Sequence, residues 1–287
     1  MKFEKFIEKL QHEGKSELTL RQYRSSWNRF VKWFDGEDAE QATQLDIARF
    51  KRTMLENLSP STVKQTLLHV RAFFSYLTEQ GDAPDNPVEN VDAVTVARTT
   101  PKWLNKNEQN AVIRAIRRYG DIKELTIFTL LLHTGLRVQE LCDVKLTDIT
   151  LTDRKGNLVV RKGKHNRRRE VPLNVDSRRV LEQYLSSRNS ESEYLFDSQR
   201  SPQMTTRAVQ HIIEKYRKLT GIENLTAHAL RHSFCHELVS KKIPLDVVAR
   251  LAGHMKANGT PNIEMTLVYT QPSHEDLERA VEELSWT

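Results

Sequence analysis

Cysteine is nearly missing from this chain, with only Cys142 and Cys235 among 287 residues. Both lie among apolar neighbours, so a disulfide framework is excluded and two reduced core residues in a reducing, cytoplasmic setting are expected. Apolar runs long enough to span a membrane are absent too. The opening MKFEKFIEKLQHEGK is charged and amphipathic where a signal peptide would be apolar. A nucleotide loop is lacking as well: Gly14-Lys15-Ser16 has Lys9 where a P-loop needs its first glycine. Acid is in short supply, 38 Asp and Glu against 44 Lys and Arg, for a net charge of +6. That balance favours a polyanionic partner without requiring one.

What is present is length for two ordinary domains, and most of it reads as helix. Thr19 can cap a helix with Gln22 reaching back, and Leu20, Tyr23, Trp27, Phe30, Val31 and Phe34 mark its buried face. Ser59-Pro60 announces another, striped by Val63, Leu67, Val70, Phe74 and Leu77 and stopped at Gly81. Residues 92–102, with Pro101 and no clear period, are read as a linker between a helical domain, 1–91, and a second domain, 103–271. In the second domain helices are expected at Lys106–Tyr119, Ile122–His133, Ser177–Arg188, Thr206–Leu219, Ala227–Ser240 and Pro244–Leu251. Between them Leu158-Val159-Val160 and Val171-Pro172-Leu173 suggest a small β-ribbon. The fold class is therefore mainly α with a small sheet in the second domain. A final helix, Glu275–Leu284, carries Leu277, Ala280, Val281 and Leu284 at helical spacing.

Four stretches could carry chemistry, and each has a bland alternative. Arg161, Lys162, Lys164, Arg167, Arg168 and Arg169 crowd one turn without an acid among them. This is either a solvated turn or a cationic ribbon tip suited to phosphates and guanine edges. In LLHTGLRVQELCDV, Arg137 and Glu140 are one helical turn apart, which makes either a surface pair or a guanidinium held for a task. In TAHALRHSFCHELV, His228, Arg231, His232 and His236 share an apparent helix with Leu230, Phe234, Leu238 and Val239. Zinc on His228, His232 and His236 is disfavoured, because no H-E-x-x-H pattern or cysteine pair accompanies them. A histidine–arginine pair directed at a phosphate needs no metal. His254 and Tyr269 follow; a tyrosine is more often core than nucleophile, yet a phenolate among cations can form a phosphodiester.

In their order these segments resemble the signature of the tyrosine recombinases, the family of phage integrases and Xer-like enzymes. T-G-L-R-V-Q-E-L holds Arg137 and Glu140, H-A-L-R-H holds His228 and Arg231, L-A-G-H ends at His254, and T-L-V-Y-T holds Tyr269. The hairpin run from Gly163 through Val171-Pro172-Leu173 registers Lys164 as the family lysine, with Lys162 as runner-up. The resemblance extends to the N-terminal helices and implies a two-domain DNA clamp, a core-binding domain facing a catalytic domain. It also implies that Tyr269 attacks a DNA phosphate gripped by Arg137 and Arg231. Lys164 would protonate the leaving oxygen, His228 would assist at the tyrosine, His254 would bond the phosphate and Glu140 would orient the set. Arg161, Lys162, Arg167, Arg168 and Arg169 would contact DNA. No cofactor and no metal are implied. The partners would be double-stranded DNA and further copies of the chain, a tetramer at synapsis, with the protein on the nucleoid when bound.

One departure stands out. His254 and Tyr269 are fifteen residues apart, more than in many relatives, and the extra residues are expected to give the tyrosine slack. The terminal segment 272–287 has five acids and one base, so it should avoid DNA and dock on protein, within its own subunit or a neighbour. With no room before the first helices for an arm-binding domain, a Xer-like or mobile-element resolvase or integrase is expected. A decayed DNA-binding regulator and a monomeric type IB topoisomerase-like enzyme are the competing classes.

Overall fold

Capping side chains set where most of the helices begin. The computed structural model describes residues 2–35, 38–96, 102–161, 168–256, 258–270, 277–278 and 281–284. It divides the chain into two units, Met1–Thr99 and Thr100–Thr287. The first is helical: α1 (Lys2–His12), α2 (Glu17–Phe34), α3 (Gln44–Asn57) and α4 (Pro60–Glu79). Ser16, rather than Thr19, caps α2: its hydroxyl accepts the Thr19 N–H, which puts Thr19 inside the first turn. Ser59 caps α4 as expected, with Pro60 at the first position, where no N–H is needed. The facing stripes meet in a core of rings. Trp27 packs edge-on to Phe73 with centroids 4.5 Å apart and stacks on Phe3 at 5.3 Å. Within the expected linker, Val94 is buried in this same core and Lys51 Nζ donates to the Asp92 carbonyl at 2.7 Å.

The second unit is built around α6 (Ile122–Thr134), which is apolar on nearly every side. It packs against α5 (Lys106–Tyr119), α8 (Val175–Ser187) and α10 (Ala227–Ser240), while α9 (Thr206–Thr220) packs on α5. The short α7 (Val138–Asp143) follows the Gly135 turn. The sheet has one strand more than the ribbon foreseen: β1 (Ile149–Leu151), β2 (Gly156–Val160) and β3 (Arg169–Pro172), antiparallel in that order. In its register Leu158 faces Val171 and Val160 faces Arg169. Leu158, Val160 and Val171 are buried in the main core, so the sheet's inner face is held by apolar contact.

After α11 (Leu245–Ala252) the chain makes a small hairpin, in which Met255 pairs with Pro261, and enters α12 (Ile263–Leu267). Asn262 N–H donates to the His254 carbonyl at 2.7 Å, and Thr266 is fully buried. The described residues between His254 and Tyr269 are thus folded back against the unit rather than slack, contrary to expectation. The terminal stripe falls partly outside the described residues; Leu277, Val281 and Leu284 are described and are 53%, 67% and 75% exposed. No described helix is long and apolar enough to cross a membrane.

Candidate active site

Three arginines converge on the C-terminal end of α11. Arg169 Nε donates to the Leu251 carbonyl at 3.1 Å, Arg231 Nη2 to Ala252 at 2.5 Å and Arg137 Nη2 to Gly253 at 3.3 Å. The last carbonyls of a helix lack partners within it and carry partial negative charge, so they suit cations. The donors come from β3, from α10 and from the residue that precedes α7. Gly253 makes the convergence feasible: its φ is +68°, and a Cβ there would stand 2.9 Å from Arg169 Nη1. Gly135 does the same on the opposite side. At φ +61° it turns the chain from α6 toward Arg137, a Cβ there would lie 2.3 Å from the Phe234 ring, and its carbonyl accepts from Arg231 Nη1.

Glu140 ties two of the arginines together. Its carboxylate accepts the Arg137 N–H and Nη1, both at 2.8 Å, and Arg169 Nη1 and Nη2 at 2.9 and 2.7 Å. Burial alone would push this carboxyl up; the Arg169 hydrogen bonds and charge, followed by Arg137, outweigh it and hold the group at about 2. Arg231 is 3% exposed, and burial followed by the charge of Arg137 lowers it to about 10, so it stays cationic at neutral pH.

Beside this network lie the histidines and the tyrosine. His232 Nδ1 and Tyr269 Oη are 2.7 Å apart, and His254 Nδ1 meets Thr266 Oγ1 at 3.1 Å. The His254 and Tyr269 rings run nearly parallel, 6.0 Å apart. Burial is the first cause of every shift here. It lowers His232 to about 4, helped by His228 and Arg231, and His254 to about 3, helped by Arg231 and Arg137. His228 is lowered in the same way, and the Tyr269 phenol is raised. At neutral pH this is a set of neutral imidazoles and a protonated phenol, next to guanidiniums that remain charged.

The second unit therefore brings Arg137, Glu140, His228, Arg231, His254 and Tyr269 into one region, while Lys162, Lys164 and Arg167 lie outside the described residues. The ribbon arginines part company. Arg161 pairs with the buried Asp148, and Arg168 pairs with Glu170 at 3.0 Å on the surface. Arg169 differs from the expected DNA contact: its side chain is 12% exposed and spent on Glu140 and Leu251. It shares the inward face of β3 with Val171, so the two-residue period of a strand was the signal for it. His232 and Thr266 were given no role from sequence; their partners are far along the chain, and only tertiary structure joins them. Of the i, i+4 histidine triplet, His228 and His232 stay edge to face at 4.6 Å, His232 also meets Tyr269, and His236 stacks on Trp103 at 4.0 Å.

Comparison with known proteins gives the family. The model of the phage integrase family matches residues 102–276, and that of the phage integrase N-terminal SAM-like domain matches 3–81. The tyrosine recombinase XerA of Thermococcus kodakarensis is 32% identical over 282 residues, covering 97% of this chain and 93% of its own. This chain belongs to the phage integrase family of tyrosine recombinases. Members of that family break and rejoin DNA strands, and the chain is such an enzyme. A resolvase of Bacillus thuringiensis, TnP I, is 26% identical over 96% of this chain and 97% of its own. The recombinase XerH, solved bound to its difH substrate after cleavage, shares the fold at a TM-score of 0.75 and 21% identity. That match covers 92% of this chain and 79% of XerH.

Proposed function

We propose that this tyrosine recombinase acts at a specific DNA site through Tyr269, in two rounds of phosphoryl transfer. Tyr269 Oη attacks the scissile phosphate, leaving a 3′-phosphotyrosyl link and a free 5′-hydroxyl, and the 5′-hydroxyl of a partner strand then attacks that link. The link conserves the phosphodiester, so no nucleotide is consumed. Arg137 and Arg231 neutralise charge on the non-bridging oxygens, the task that metal ions perform in many phosphoryl transfers. Glu140 holds Arg137 in register, His254 bonds the phosphate, His228 assists proton movement, and Lys164 protonates the leaving 5′-oxygen. The observation that carries the reading is the Tyr269 hydroxyl, held by His232 within the field of Arg231 and Arg137.

Residues 1–91 serve as a core-binding domain on double-stranded DNA, and 103–271 as the catalytic domain. Arg161 and Arg168, with Lys162 and Arg167, contact the backbone. Residues 272–287 join neighbouring subunits in a synaptic tetramer; the exposure of Leu277, Val281 and Leu284 on their own chain supports this reading over self-docking. A Xer-like or mobile-element resolvase or integrase, resident in the cytoplasm and on the nucleoid, fits these parts. The test is a supercoiled plasmid with two copies of the target site. Recombinant circles are expected, whereas relaxation without recombinants would point to a type IB topoisomerase-like enzyme. A 5′-bridging phosphorothiolate, whose leaving group needs no proton, is expected to rescue cleavage by Lys164→Ala. Rescue confined to Lys162→Ala would reverse the two lysines.

A further inference from the structure

Two histidines compete for the nucleophile's proton, one turn apart on α10. The ring of His228 is 4.6 Å from that of His232, edge to face, and only His232 has a nitrogen at hydrogen-bond distance from Tyr269 Oη among the described contacts. His228 instead lines a surface cavity with Val138, Gln210, Glu214, Arg217 and Glu223.

We infer that His232 is a catalytic residue, the general base that takes the proton from Tyr269 on attack and returns it on religation. This rests on Tyr269 as the nucleophile. With its ring proton on Nε2, His232 accepts the phenol's hydrogen bond at Nδ1. During cleavage the Oη–P bond forms and the P–O5′ bond breaks. The phenol proton passes to His232 Nδ1, and the leaving O5′ takes one from Lys164. Religation runs in reverse: the attacking 5′-hydroxyl gives its proton to Lys164, and Tyr269 leaves with the proton held on His232.

The surroundings explain how such a base stays quiet until DNA is bound. Around it stand His228 and Arg231 from its own helix, the Tyr269 phenol, and His254 after α11. Burial first, then His228 and Arg231, keep His232 neutral and weakly basic. A scissile phosphate brings negative charge to Arg231, which offsets the part of the field that this guanidinium supplies and strengthens His232 as a base. Proton transfer is then coupled to phosphate binding at Arg231, and the free enzyme keeps its phenol protonated.

The experiment is single-turnover cleavage of a nicked suicide duplex, with DNA binding measured by gel shift to report folding. His232→Ala and His232→Asn are expected to bind normally and form covalent adduct about 10²–10⁴-fold more slowly, the usual range for loss of a general base. Asn can still accept the phenol's hydrogen bond but cannot carry its proton. Replacing Tyr269 with a fluorinated tyrosine, whose phenol ionises without help, is expected to restore cleavage in the His232→Ala background. His228→Ala with the same nucleophile should gain no comparable rescue. Wild-type rates in His232→Asn would show that the ring only orients Tyr269 and would overturn the inference, as would rescue confined to His228→Ala. If the unmodified enzyme forms no adduct at all, the assignment of Tyr269 fails and this inference fails with it.

Discussion

In the first unit the largest buried side chains are rings: Phe30, Phe50, Phe73 and Phe74 are all 0% exposed. In the second unit Arg231 and His254 are each 3% exposed and Glu140 is 5%. Buried rings gain from area and from edge-to-face geometry, and they ask nothing of their neighbours but shape. Buried charges are costly unless each is paired and hydrogen-bonded, which is why Glu140 has four donors and Arg231 two carbonyls. The contrast separates a core held by shape from a core held by paired charge, and under the proposed mechanism only the second acts on a substrate. Such a charged cluster is maintained against its desolvation cost.

The strongest way to break this contrast is to neutralise Glu140. Glu140→Gln leaves Arg137 and Arg169 facing each other without their shared carboxylate, and loss of one partner in a buried ionic network costs about 3–5 kcal/mol. Urea unfolding is expected to show that loss, and adduct formation should fall sharply. A cost below about 1 kcal/mol would mean that the arginines are solvated rather than locked.

Phe30→Ala is expected to cost a similar about 3–5 kcal/mol by leaving a cavity among the first unit's rings. Its effect should be confined to stability. At saturating DNA and low temperature, the single-turnover rate of covalent attack should match wild type, and a large drop there would blur the distinction between the units.

Acid should divide the units more gently. His133, His228, His232 and His254 of the second unit are all lowered by burial, against His69 in the first. A lowered histidine is neutral when folded and takes a proton first when unfolded. Its contribution is therefore complete above the ordinary value of about 6.5 and drains away as pH falls toward the folded value. Between pH 6.5 and 4, hydrogen exchange corrected for intrinsic rate is expected to show the second unit losing protection faster than the first. Equal losses would contradict the account.

Of the two adjacent arginines, Arg168 gives the smallest effect. Arg168→Ala removes an exposed pair and should change stability by less than about 0.5 kcal/mol, while lowering the salt dependence of DNA binding by about one ion. Arg169→Ala should do the opposite, reducing stability with little change in salt slope.

That neighbouring pair also shows where the sequence was legible. The helix start marked by Ser59-Pro60, the β-ribbon and the ordered motifs are local patterns, and those among the described residues are found where local patterns put them. Arg169 looked like one more cation in a basic run because the register of β3 decides its face, and register is fixed by Val171 opposite Leu158. The segment from His254 to Tyr269 reads as polar slack, since the bonds that fold it, Asn262 to His254 and Thr266 to His254, join residues that no periodicity links. His232 was visible as one histidine among three; its selection depends on Tyr269, 37 residues later.

The central claim is that the charged core exists to present Tyr269 to a phosphate, and the most direct measurement is mass mapping of the adduct trapped on a nicked suicide duplex. The account predicts one DNA-linked peptide, containing Tyr269, in the wild-type protein and none in Tyr269→Phe, which should still bind the duplex. A DNA-linked peptide that persists in Tyr269→Phe, or that maps to another residue such as Tyr216, would contradict it.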